Sequence, residues 1–127
     1  MKFLLLSILI SVAAAKISTI KVTGTVLCRK QKQPGLEVVL KESDSFTPDD
    51  KLSQTTTNKD GFFEISGQDD EWGSIEPYVY IFHHCRILKE GCRTRSRYDV
   101  PQPVINGVYE MSYIDLDIAQ SGETYEC

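Results

Sequence analysis

Short stretches of alternating apolar and polar residues run along most of the chain, and each one ends at a turn signal. In residues 19–28, Ile20, Val22 and Val26 alternate with threonine and lysine, which is the period of a half-buried strand. The same reasoning predicts further strands at residues 36–41, 52–57, 62–65, 75–85, 93–100 and 108–119. Seven or so short strands with turns between them predict an all-β fold, a two-sheet β-sandwich.

The most apolar of these stretches, residues 75–85, is predicted to be a central strand. Val79 and Ile81 fall on one face of it. Three aromatic residues fall on the other face: Tyr78, Tyr80 and Phe82. If the aromatic face pointed outward, it would form an apolar patch suited to a partner or a small hydrophobic ligand. A strand buried on both faces is the interpretation that the continuous apolar run favours.

A turn and a β-bulge are also predicted. The stretch Asn58-Lys59-Asp60-Gly61 contains an Asp-Gly pair and predicts a hairpin between the strands on either side of it. In the last strand the alternation changes phase near Met111 and Ser112, which predicts a β-bulge. After this bulge the apolar residues Ile114, Leu116 and Ile118 are expected to face inward.

The first 15 residues form a separate unit. Lys2 supplies a positive start, an apolar run follows, and Ala13 to Ala15 supply small residues for cleavage. This pattern predicts a secretory signal peptide, with residues 16–127 as one secreted, extracellular domain. A membrane-spanning helix needs about 20 apolar residues, and no later segment approaches that length. No transmembrane segment is therefore expected.

Charge limits the kinds of partner. The chain has a formal net charge of −4, and removal of Lys2 with the leader makes the remainder one unit more acidic. A general nucleic-acid binder needs a basic surplus to neutralise phosphates. The composition therefore argues against nucleic acid as a partner.

The four cysteines all follow the leader, and secretion favours disulfides over reactive thiols or metal ligands. Four cysteines allow three pairings. Cys85 and Cys92 are close enough in sequence to close a loop, which would leave Cys28 to pair with Cys127. This arrangement is the expectation, although the sequence alone does not prove it.

A run of basic residues is the strongest local candidate for function. Its members are Arg86, Lys89, Arg93, Arg95 and Arg97, opposed only by Glu90. On a strand, the last three share one face, and their forked guanidinium groups suit phosphate, sulfate or carboxylate groups. The run is therefore a candidate anion-binding stripe for an anionic lipid, a sulfated glycan or an acidic protein. An edge strand whose charges prevent aggregation is the interpretation favoured for the run, since it needs no partner.

Other titratable groups predict no catalytic, cofactor or metal site. His83 and His84 are adjacent, so on a strand they point to opposite faces and cannot converge on one substrate. No spaced set of metal ligands accompanies them. Two acidic loops could meet and hold a cation, but solvated carboxylates are the favoured interpretation. The loops carry Asp44, Asp49, Asp50, Asp69, Asp70 and Glu71.

Several short motifs occur together in order along the whole mature chain. They are Gly24-Thr25-Val26-Leu27-Cys28, Asp49-Asp50, residues 57–63, Glu71, residues 75–78 and 81–85, Cys92 and Cys127. This ordered set resembles the transthyretin-like family of secreted nematode proteins. The resemblance implies a transthyretin-like, prealbumin-like β-sandwich, an extracellular setting, and a role as a carrier or interaction module without enzymatic activity.

The same fold also hosts an enzyme, 5-hydroxyisourate hydrolase, from which this sequence departs. That enzyme ends in a Tyr-Arg-Gly-Ser motif and uses separated histidines, whereas the last residues here are Thr124-Tyr125-Glu126-Cys127. The leading hypothesis is a non-enzymatic binding module that uses its loops and the basic stripe. A carrier of small hydrophobic ligands is the alternative, and a hydrolase is the third and weakest hypothesis.

Overall fold

The computed structural model describes residues 16–43, 48–71, 75–86 and 90–127. The predicted leader, residues 1–15, lies outside this part of the chain. Nine strands occur in the described residues: β1 Lys16–Cys28, β2 Gln31–Lys32, β3 Glu37–Ser43, β4 Asp50–Thr56, β5 Phe62–Glu71, β6 Glu76–His83, β7 Arg93–Asp99, β8 Tyr109–Asp115 and β9 Thr124–Glu126. A 3-10 helix, Gln102–Val104, precedes β8. No helix in the described ranges is long and apolar enough to span a membrane.

The strands form two sheets. In the first, β1 pairs antiparallel with β5 and parallel with β8, and β2 pairs with the end of β1. In the second, the order is β4-β3-β6-β7-β9, with all neighbours antiparallel. All seven predicted strands are present, and the two-sheet sandwich is confirmed. The short strands β2 and β9 were not predicted.

The core lies between the sheets and follows from the alternation along each strand. Ile20, Val22 and Val26 of β1 face Val79 and Ile81 of β6 across the interior. The other face of β6 is also covered, so the prediction of a central strand buried on both faces is confirmed. β6 is the middle strand of its five-stranded sheet.

The turn at Asn58 is confirmed, but the hairpin expected around it is wrong. The side chain of Asn58 accepts hydrogen bonds from the backbone N–H of Asp60 at 2.9 Å and of Phe62 at 3.0 Å. Gly61 has φ +73°, a conformation that glycine adopts without strain. However, β4 pairs with β3 and β5 pairs with β1, so this turn carries the chain from one sheet to the other.

The bulge predicted in the last long strand is confirmed, although one residue after it was placed wrongly. β8 holds one extra residue between the positions opposite Thr23 and Thr25, and Ser112 takes φ +60°. Ile114 and Leu116 are buried as expected. Ile118 is 60% exposed because β8 ends at Asp115 and the chain turns before reaching it.

The expected disulfide pairing is wrong. The bonds join Cys28 to Cys85 and Cys92 to Cys127, with Cα atoms 5.7 Å and 4.0 Å apart. β6 ends at His83, and the chain then bends so that Cys85 enters the core beside the end of β1. The first disulfide therefore ties the two sheets together, and the second ties the residue before β7 to the residue after β9.

Candidate binding face

The outward face of β6 and β7 gathers two rows of side chains. Because side chains alternate along a strand, three rings of β6 point away from the core, and so do three arginines of β7. We call these six residues the arginine–aromatic face: Tyr78, Tyr80, Phe82, Arg93, Arg95 and Arg97. The interpretation of the arginines as one shared face is confirmed by this register.

Each guanidinium group lies over an aromatic ring. The guanidinium carbon of Arg93 is 4.0 Å from the ring centroid of Phe82, that of Arg95 is 4.3 Å from Tyr80, and that of Arg97 is 3.8 Å from Tyr78. Arg95 is directly opposite Phe82 and Arg97 is directly opposite Tyr80, so each of these two arginines packs on a ring diagonally across from it. The rings are attracted to the cations through their quadrupoles. They point outward, but the arginines cover them, so no bare aromatic patch remains there.

Carboxylates line the same face and compensate most of its charge. Arg93 forms ion pairs with Glu37 at 2.9 Å and with Glu126 at 2.8 Å. Glu126 also lies 3.8 Å from Arg95, and Asp99 lies 3.0 Å from Nε of Arg97. Sequence reasoning missed these acidic partners. Asp99 follows Arg97 by two residues on the same strand face, which was a usable signal, whereas the other two come from distant segments.

The stripe proposed from the sequence is divided in the fold. Arg86 does not join the row, since its Nε donates to the carbonyl of Leu116 and its Nη2 donates to both oxygens of Glu123, at 2.6 and 2.5 Å. Lys89 lies outside the described residues. Nor is β7 an open edge along its whole length, because β9 pairs with its first three residues. The row that remains is Arg93, Arg95 and Arg97.

A separate chain of polar contacts begins at the buried His83 and ends at the partly exposed Arg86. The backbone N–H of Cys85 donates to Nδ1 of His83, so Nε2 carries the proton and donates to the hydroxyl of Ser96 at 2.8 Å. Ser96 donates in turn to Glu123 at 3.2 Å, and Arg86 neutralises that carboxylate. His83 is only 1% exposed. Burial lowers the pKa of His83 below its ordinary value of 6.5; Glu123 opposes the shift and Arg86 adds to it.

Acidification is expected to destabilise the protein through His83. Because its pKa is lower in the folded protein, the unfolded chain binds more protons once the pH falls below about 6.5, and stability decreases from there. Thermal unfolding between about pH 7 and pH 5 measures this. His83→Gln, which can still donate to Ser96, should flatten the pH dependence. The exposed His84→Gln serves as the control, and an equal effect of both variants would contradict the assignment.

One of the two expected acidic loops is wrong, because Asp69, Asp70 and Glu71 belong to strand β5; in the other, Asp50 already begins β4. Carboxylate oxygens of Glu42, Asp50 and Asp69 lie within 4.8 Å of one another, and Glu42 is fully buried. Asp49 accepts a hydrogen bond from the hydroxyl of Tyr78, whose pKa is raised by burial and by this bond. Asp44 is outside the described residues. Oxygen donors of this kind suit Ca²⁺, but acidic groups also gather without an ion, and we assign no metal here.

Comparison with known proteins identifies the family. A model of the Transthyretin-like family matches residues 23–101, which include β1 to β7 apart from the start of β1. The chain belongs to the Transthyretin-like family. Transthyretin-like protein 16 of Caenorhabditis elegans is 38% identical over 113 residues, covering 89% of this chain and 86% of that protein. Transthyretin-like protein 2 of the same organism is 32% identical over 118 residues, covering 84% and 80%.

A solved structure supports the fold alone. Part of a 9R-lipoxygenase from Cyanothece PCC8801 superposes with a TM-score of 0.53 at 17% identity. The match covers 76% of this chain but only 16% of the lipoxygenase chain. At that identity the likeness concerns the β-sandwich and carries no information on activity.

In this chain, side chains of both sheets fill the space between the sheets, as seen for Val38, Phe63 and Ile81. A recess of about 440 Å³ opens at the surface instead, lined by Thr19, Ile20, Lys21, Ser66, Gly67, Gln68 and Gly107. This recess lies on the first sheet, away from the arginine–aromatic face on the second sheet.

Proposed function

We propose that this member of the Transthyretin-like family is a secreted, non-enzymatic binding module that recognises anionic groups on an extracellular partner or surface. The observation that carries the proposal is the row of three guanidinium groups held on three aromatic rings. The predicted leader and the two disulfides are compatible with an extracellular setting.

Stacking on the rings lowers the entropy that the arginine side chains lose when a ligand binds. A free arginine side chain carries about 2 kcal/mol of rotamer entropy, and binding normally costs part of it. Here the rings already restrict the three side chains, while 29–38% of each side chain stays exposed. Alternate residues of a strand are about 6.6 Å apart, so the row presents a regular series of planar donors.

Donors remain available on this face. Asp99 engages only Nε of Arg97, and the 3.8 Å contact with Glu126 is the only ion pair of Arg95 within the described residues. A guanidinium group has five N–H donors and binds carboxylate, sulfate or phosphate oxygens in pairs. Arg95 and Arg97 can therefore receive an additional anion without losing their present contacts.

The balance of charge predicts modest, salt-sensitive affinity. Charges of both signs meet at the face, and the described ones are Lys41, Arg93, Arg95, Arg97, Glu37, Asp49, Asp99 and Glu126. Exposed charges are screened beyond about 8 Å at physiological ionic strength. Binding through this row should thus weaken as salt rises.

The competing functions have less support. A hydrolase would need its histidines to converge, yet His83 is buried and hydrogen-bonded to Ser96, whereas His84, the next residue, is exposed. A carrier of hydrophobic molecules would need an apolar cavity, and the packed core described above leaves the surface recess as its candidate site.

Binding of the purified protein to anionic probes tests the proposal. We expect sedimentation with vesicles containing phosphatidylglycerol at low salt, less at physiological salt, and none with pure phosphatidylcholine vesicles. Retention on heparin would show whether sulfated glycans share the site. Replacing Arg93, Arg95 and Arg97 by glutamine should abolish binding, since the donor row is removed.

A matched variant removes the same amount of charge elsewhere. Lys32 in β2 and the turn residues Lys30 and Lys59 are exposed on the side of the first sheet, and changing all three to glutamine should preserve most of the binding. If the two triple variants lost binding equally, the net charge of the protein would explain the effect and the arginine row would not. Binding that does not respond to salt or to the arginine changes would refute the proposal.

A further inference from the structure

The short strand β9 lies against one end of the arginine row. It pairs antiparallel with β7 so that Glu126 is opposite Arg93 and Thr124 is opposite Arg95. Cys127, the next residue, is bonded to Cys92, the residue before β7. The strand is therefore fixed beside the proposed binding site by a covalent link.

Glu126 occupies donors that an external anion would use. Its carboxylate accepts from Nε of Arg93 at 2.9 Å, lies 2.8 Å from Nη2 of the same residue, and approaches Nη1 of Arg95 at 3.8 Å. One carboxylate oxygen, Oε2, contacts both donors of Arg93, and the other, Oε1, is the oxygen that faces Arg95. The protein thus places its own anion on two of the three arginines.

Apart from the disulfide, β9 is weakly attached. It has three residues, all at least partly exposed, and it buries no large apolar side chain. Exposed ion pairs contribute little, and short segments with few buried contacts open readily. Just before β9, Glu123 is anchored by Arg86 and Ser96 with a side chain only 11% exposed. The segment that can detach is therefore residues 124–127.

The disulfide that holds this segment is accessible. A recess of about 340 Å³ opens beside it, lined by His84, Gly91, Cys92, Arg93, Glu126 and Cys127. Access is from the side of Cys127, which is exposed while Cys92 is buried; the bond between Cys28 and Cys85 instead lies against the core. Arg93 in the same recess would stabilise a thiolate leaving from the bond.

We infer that β9 is an internal competitor for the arginine row, and that opening the Cys92–Cys127 disulfide releases it and strengthens anion binding. A dithiol reductant would supply two electrons and two protons, so that Cys92 and Cys127 become thiols and the reductant becomes a disulfide. Release of residues 124–127 removes Glu126 from Arg93 and Arg95. This regulation rests on the proposed function of the face.

Two variants test the competitor by separate routes. Glu126→Gln removes the competing carboxylate while the disulfide stays intact, and C92S/C127S removes the tether. The control is Glu64→Gln, which removes an equal charge from an exposed ion pair with Lys21 on the other sheet.

The probes for binding are heparin and vesicles containing phosphatidylglycerol. Amide hydrogen exchange of residues 124–126 reports release of the strand, and near-ultraviolet circular dichroism reports the packed core.

We expect Glu126→Gln to raise affinity about threefold relative to Glu64→Gln, and C92S/C127S to raise it about threefold to tenfold. Exchange in β9 should become faster in C92S/C127S while β6 stays protected. Binding by the variants but not by the wild-type protein would support the inference equally.

Two other outcomes separate the possible failures. If the wild-type protein binds and neither variant exceeds the control, β9 is not a competitor and the proposed function stands. If no form of the protein binds either probe, both the competitor and the proposed function are overturned.

Discussion

Replacing Cys28 and Cys85 together by alanine is expected to lower the free energy of unfolding by about 4 kcal/mol. The bond closes a loop with a sequence separation of 57, which removes much of the freedom of the unfolded chain. It also joins the two sheets beside the core. Denaturant unfolding of the double variant measures the loss.

The second disulfide gives the matched comparison. Its sequence separation is 35, so chain entropy alone predicts a loss of nearly the same size, about 4 kcal/mol, for C92A/C127A. The variant of Cys28 and Cys85 should lose more, because Cys85 packs within the hydrophobic core cluster, to which the equally buried Cys92 does not belong. A smaller loss for Cys28 and Cys85 would contradict a role for their bond in joining the sheets.

Thiol titration checks the pairing itself. Changing Cys85 and Cys92 to alanine breaks one partner of each bond, so Cys28 and Cys127 should both titrate as free thiols in the unfolded variant. The pairing expected from the sequence would leave a single intact disulfide and no free thiol. The two arrangements therefore differ in one measurement.

Gly61→Ala is expected to cost about 3 kcal/mol of folding free energy or more. A Cβ atom at this position would lie 2.8 Å from the carbonyl oxygen of Val26 and 2.9 Å from the backbone nitrogen of Gln33. Both are backbone atoms of β1 and of the segment after β2, and Val26 and Gln33 are themselves hydrogen-bonded at 3.0 Å. Neither atom can move without breaking that contact.

Gly35→Ala separates steric overlap from backbone conformation. Gly35 has the same φ of +73°, but nothing lies within 4 Å of its added Cβ. This change should cost only the conformational term, about 1 kcal/mol. Comparing the two variants by denaturant unfolding isolates the clash, and equal losses would show that the contact of Gly61 with β1 is unimportant.

The local features of the fold were predictable because they depend on neighbours in sequence. Alternation placed all seven longer strands, and a change of phase located the bulge at Ser112. Each of these rests on backbone geometry or on burial of one face. The family resemblance noted from ordered motifs is confirmed by the family match and by the nematode relatives.

The candidate site was predictable only where it depends on one strand. The spacing of Arg93, Arg95 and Arg97 placed them on a common face. It did not indicate the rings beneath them, although the order of β6 and β7 in the chain would have suggested that pairing. Nothing near Arg86 in sequence pointed to Glu123, which lies 37 residues away and draws this arginine out of the row.

By itself, the sequence determined an all-β sandwich of this family, its strands and its central strand, because periodicity and side-chain volume act over a few residues. The tertiary structure decided the cysteine pairing and the acidic partners of the arginines. It also decided that the strands before and after the Asn58 turn lie in different sheets. Those features depend on which segments meet in space. The bend after His83 brings Cys85 to Cys28, and the short strand β9 brings Glu126 to the arginines. No local sequence pattern indicates either contact.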